Sequence, residues 1–126
     1  MKRAWIGVAL LVGLLAAGLW SMSAMDRVHS DIADELRRSA HAAQQMQWAQ
    51  ADDALEQATE QWQESWKFTA AMADHTALDE IDALFAQAEV YRSSRSQPLY
   101  AAACARLAQL VEALQEGHRL TWWNLL

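Results

Sequence analysis

The chain has 126 residues, and residues 26–126, which follow a hydrophobic N-terminal run, suffice for one modest core but not for a second domain. Hydrophobic residues make up 53% of the chain, with four Gly and one Pro among recurring Ala, Leu, Gln and Glu, a composition of helices in which no sheet is expected. Residues 26–126 carry eight Lys plus Arg against sixteen Asp plus Glu, which excludes the cationic track that nucleic acid needs and the basic cluster that anionic lipid attracts.

From Ala4 to Met25 the chain runs for 22 residues without a charge. As a helix this stretch is about 33 Å long, slightly more than the hydrocarbon core of a bilayer. Lys2 and Arg3 precede it and Asp26, Asp31, Asp34 and Glu35 follow, so the basic-side rule places the N-terminus in the cytoplasm and the remainder outside the cell membrane. Trp5 and Trp20 near the two ends suit the headgroup layers, where an indole keeps one apolar edge and one hydrogen-bonding nitrogen. The expected organisation is a short cytoplasmic N-terminus at 1–3, a single-pass anchor at 4–25 and an extracytoplasmic helical domain at 26–126.

A cleaved signal peptide is the competing reading, because Ser21, Met22, Ser23 and Ala24 offer small residues to a peptidase. Against it, the apolar run is long for a signal core, and Met25, Val28, Ile32 and Leu36 carry a helical apolar stripe straight on. No cysteine stands directly after the run, which excludes a lipoprotein anchor. Within the run Ala9, Gly13, Ala17 and Ser21 recur every four residues, a face of small side chains that another membrane helix can approach closely. Plain lipid exposure is the alternative for that face.

Beyond the anchor, Val28, Ile32, Leu36, Ala40 and Ala43 share one side of a helix that continues the anchor. A second helix carries Trp48, Leu55, Trp62, Trp66 and Thr69 along an expected seam. A break is favoured around Gln44 to Gln47, although no Gly or Pro marks it and one helix through to about residue 72 fits the same propensities. A third helix is read from Thr76, followed by Asp79, as a capping box, with Asp79, Glu80 and Asp82 placing charge on the positive helix end and Leu78, Ile81, Phe85 and Ala88 as its buried stripe. Ser93 to Gln97 reads as a loop, and Pro98 suits the first turn of a last helix. That helix packs through Tyr100, Ala103, Leu107, Val111 and Leu114, with Gly117 as a candidate C-terminal cap.

The fold class is therefore all-α: an N-terminal transmembrane helix followed by an antiparallel bundle of about four helices. In an up-and-down bundle the C-terminus returns to the bilayer, so the tail residues Trp122, Trp123, Leu125 and Leu126 are candidates for the membrane interface. Capping the bottom of the bundle core is an equal alternative for the two indoles.

The residues now on the page resemble a bacterial family of small membrane proteins, the domain of unknown function 4363. The resemblance is carried by the basic, Trp-containing start before one membrane helix, by Trp48, Ala51, Trp62 and Trp66, by Asp74, His75, Leu78 and Asp79, and by the ending Asn124, Leu125, Leu126. It covers nearly the whole chain. It implies a single-pass helical protein working beside another membrane protein, with no assigned activity. Trp122 and Trp123 make the ending more aromatic than the family pattern, and Gly117 interrupts its last helix.

Candidate chemistry is sparse. Asp74, His75, Asp79 and Asp82 gather at the start of the third helix, where a hard cation could bind, but capping accounts for most of them and no metal or other cofactor is expected. His29, His41 and His118 stand apart without neighbouring ligands and suit solvated or helix-end positions. Cys104, a lone cysteine, reads as a small buried side chain. Phosphate loops, nucleophile elbows and zinc spacings are missing from the sequence, so no catalytic residues are assigned and no enzyme is expected.

Two functions follow. The first is a non-catalytic accessory protein whose partners are the lipid bilayer and a larger integral membrane protein. The second is an extracytoplasmic sensor domain in which Trp48, Trp62 and Trp66 cage a small ligand, although seam packing accounts for those residues better. The sequence leaves the oligomeric state open.

Overall fold

The computed structural model describes residues 1–123, and the side chains of all of these but Met72 and residues 118–123. Four helices follow one another: α1 (Lys2–Gln44), α2 (Trp48–Met72), α3 (His75–Ser93) and α4 (Gln97–Trp123). α1 packs along both α2 and α4, α3 packs along α4, and α2 and α3 touch least. The cross-helix bonds show antiparallel neighbours: from the turn inward, α1 meets α2 first at Ser39 and Ala51 and then at His29 and Thr69.

α1 is two things in one rod. Residues 1–20 are exposed throughout, while burial begins at Ser21 and becomes complete at His29, Ile32, Ala33, Leu36, Ser39, Ala40, Ala42 and Ala43. The helices it packs along carry buried alanines, Ala51, Ala54 and Ala58 on α2 and Ala101, Ala103 and Ala108 on α4, whose small side chains admit a close approach. Ile32, Leu36, Leu107 and Val111 are fully buried between them, each worth roughly 1.5–3 kcal/mol relative to exposure. On the α2–α3 side, where the two helices touch least, Trp62 and Phe85 stack with ring centroids 6.1 Å apart.

The break after α1 falls where the sequence favours it, and its geometry explains the lack of Gly or Pro. Gln47 N donates to Ala42 O at 2.9 Å and Met46 N to Ala43 O at 3.0 Å, the paired bonds of a Schellman turn, with Met46 in the left-handed position at φ 60°. The α3–α4 turn repeats the pattern: Ser96 N donates to Tyr91 O and Arg95 N to Arg92 O, with Arg95 at φ 53°.

Several local expectations are corrected. α3 starts at His75, and its cap is Asp74, whose carboxylate accepts from Thr76 N at 3.1 Å; Thr76 is inside the helix. Asp79, Glu80 and Asp82 consequently lie beyond the first turn and do not answer the helix dipole there. α4 runs through Gly117, which caps nothing. The cost of a helical glycine, about 1 kcal/mol, is small beside the burial of Val111 and Leu114 in the preceding turns. Trp66 leaves the α2 seam and is 39% exposed; Thr69 is buried on the seam as expected, and Ser65 joins it there. Pro98 stands in the first turn of α4, where its missing donor costs nothing.

Candidate functional site

The small-residue face of the N-terminal half of α1 lies open. Ala9, Gly13 and Ala17 are exposed, Ser21 is half-buried where packing begins, and beyond its chain neighbours and the backbone of its own helix nothing stands within 4 Å of a Cβ placed on Gly13. Around that face Ile6, Leu10, Leu14 and Leu19 also project outward, and Trp5 and Trp20 are 73% and 74% exposed.

The polar group at the start of α3 does not converge. Asp74 is spent on the cap, His75 and Asp79 are exposed, and Asp82 turns to α2. There its carboxylate accepts from Trp62 Nε1 at 2.7 Å and from Trp66 Nε1 at 3.3 Å, so one acid ties two indoles of α2 to α3. Among the described residues no group of three or more His, Cys, Asp or Glu side chains is placed to hold a metal ion.

The three tryptophans do not share a cavity. Trp48 opens α2 at the far end of the bundle, where it meets Tyr100 at 5.5 Å and the Arg95 guanidinium lies over its ring at 4.9 Å. Trp62 is fourteen residues along, which is about 21 Å on a helix. A shallow surface groove is lined by Arg38, Gln50, Asp53 and Gln57, none of them aromatic.

His29 corrects an expectation of solvation: it is 1% exposed on the α1–α2 seam, with its ring 6.5 Å from that of Trp62. Thr69 Oγ1 donates to Ser65 O at 2.9 Å, which leaves its lone pairs to accept from His29 Nε2 at 3.3 Å. The signal was in the spacing, since position 29 falls between Met25 and Ile32 on the same stripe. His41 stands exposed in the last turn of α1, 3.0 Å from Gln45, while His118 lies outside the described side chains.

Cys104 is fully buried beside Tyr100 and Ser39, and burial pushes its thiol up to about 11. Tyr100 is raised further for the same reason, despite its 2.6 Å bond with Ser39 Oγ. Ser39 in turn donates to Ala51 O at 2.7 Å, so the three helices α1, α2 and α4 are knitted at one level. On the surface Arg37 holds Glu112 at 2.6 Å, a bond that raises the guanidinium pKa and lowers that of the carboxylate. Arg106 meets Glu80 and Arg95 meets Asp52 in the same manner.

The tail candidates fall elsewhere: the side chains of Trp122 and Trp123, and residues Leu125 and Leu126, lie outside the described residues. No curated protein and no solved structure matches the chain. The model of one family, the domain of unknown function (DUF4363), matches residues 19–125, from the outer end of the bare rod through all four packed helices, and the chain belongs to that family.

Proposed function

We propose that this is a single-pass membrane protein with a non-catalytic helical domain outside the cytoplasm, acting as an accessory to a larger integral membrane protein. One observation carries the reading: the N-terminal half of α1 is long and apolar enough to cross a bilayer, and none of that window is buried in the fold. The apolar core helix of a soluble domain would be covered by its neighbours. A cleaved leader has the same position and composition, but here the helix passes from the bare segment into the bundle without a cap or turn. The charge asymmetry across the segment supports a cytoplasmic N-terminus.

The non-catalytic reading is supported by the employment of the reactive side chains. Asp74 caps, Asp82 anchors indoles, His29 bridges helices and Cys104 fills a core position. A protein partner would approach along Ala9, Gly13 and Ala17 in the membrane and against the acidic bundle outside it. Crosslinking and mass spectrometry in native membranes tests this. Crosslinks from the bundle to an integral membrane protein are expected; recovery of none would leave the accessory role without support.

A further inference from the structure

We infer that Trp66, Lys67 and Phe68, near the end of α2, rest in the lipid headgroup layer, so that the bundle sits down on the membrane. The inference builds on the membrane-anchored reading above and adds a second point of contact with lipid. Its first support is height. The bond between His29 and Thr69 fixes the last turns of α2 against α1. Helix side chains lean toward the N-terminus of their own helix, and these two helices run in opposite directions, so the Thr69 backbone lies lower on α1 than His29 itself. That places Phe68 within about 5 Å, one helical turn, of Met25, the last uncharged residue of the apolar run. The headgroup layer on each side of a bilayer is itself about 5–7 Å deep.

The second support is the distribution of exposed rings. Among the described residues of the bundle, the exposed large hydrophobic side chains are Met46, Trp66, Phe68, Val90 and Leu99. The two aromatics among them, 39% and 47% exposed, stand two residues apart on different faces of the same turn of α2, at the end of the bundle where the bare segment of α1 begins. Asp82 holds the Trp66 indole in place. Lys67 between the rings can lay its stem on the lipid and reach a phosphate. With the bundle otherwise acidic, the contact works through the rings and suits a zwitterionic surface.

The test uses the full chain in phosphatidylcholine vesicles, carrying an environment-sensitive fluorophore on Phe68→Cys, Lys67→Cys, Val90→Cys or Leu11→Cys. The wild type controls for labelling of buried Cys104. Labels at 67 and 68 are expected to be quenched by headgroup nitroxide lipids and to be shielded severalfold from aqueous iodide relative to position 90. Labels at 67 and 68 as open to iodide as position 90, with position 11 buried in lipid, would overturn the inference and leave the anchor standing. A water-exposed label at 11 would overturn both.

Discussion

Met46 and Arg95 occupy the same position in two copies of one turn, each ending a helix in the left-handed region without a glycine. A side chain there brings its Cβ against the following carbonyl. The two sites differ in what the side chain returns. Met46 is exposed and returns little, whereas Arg95 pairs both guanidinium nitrogens with Asp52 and covers the Trp48 ring. Met46→Gly is therefore expected to stabilise the bundle by about 1 kcal/mol, and Arg95→Gly by much less or not at all. Thermal melting of the two variants checks this; equal gains would show that the Arg95 contacts contribute nothing.

The hydroxyl pair at the centre of the bundle makes an asymmetric expectation. Ser39 donates to Ala51 O, so Tyr100 is the donor to Ser39. Tyr100→Phe removes that donor and leaves Ser39 still bonded, at a cost of about 1 kcal/mol. Ser39→Ala removes both the bond to Ala51 O and the acceptor of Tyr100, leaving the buried tyrosine hydroxyl only its long 3.5 Å bond to Ala51 O, and about 1–3 kcal/mol is expected to be lost. Denaturant titration should rank Ser39→Ala below Tyr100→Phe, and the reverse order would contradict the assigned donor.

Across the α2–α3 seam the acceptor matters more than the charge. Asp82→Ala leaves the buried Trp62 indole nitrogen without its acceptor and is expected to cost about 1–3 kcal/mol, while Asp82→Asn keeps an oxygen in place and costs less. Because the fold holds α2 and α3 together least tightly, hydrogen exchange should rise first in those two helices in Asp82→Ala. Uniform protection across all four helices would count against that local opening.

The buried thiol gives a pH dependence with a definite sign. Burial raises Cys104 from its ordinary value of 9.0 to about 11. Below pH 9.0 both folded and unfolded chains keep the proton, and the group's contribution is whole; between pH 9.0 and about 11 only the unfolded chain releases it, and that stability is lost. The melting temperature of wild type should fall more steeply through this window than that of Cys104→Ser. Parallel curves would mean that the thiol does not titrate as a buried group.

Much of this fold is legible in the sequence, and the gaps have physical causes. The bare N-terminal half of α1 shows as an uncharged run and the α3–α4 boundary as Ser93 to Pro98, because charge and proline act locally. Asp74 is not legible as the cap because Thr76 with Asp79 also matches a capping pattern, and only the bond to Thr76 N decides between them. Gly117 misleads because the packing of α4 outweighs one residue's propensity. Trp66 sits one turn from Trp62 and looks like seam, but seam membership depends on the spacing of α2 and α3, which no local pattern encodes. The candidate surfaces are the least legible part: exposure of Phe68 beside the bare segment of α1 emerges only when α2 is folded back along α1.

Membrane retention with intact-mass measurement tests the central claim most directly: membranes are washed with alkaline carbonate and the protein that stays with lipid is weighed. The expected result is a retained chain whose mass includes residues 1–25. A species released into the soluble fraction, or a new N-terminus near residue 24, would contradict a helix that is anchor and bundle strut at once.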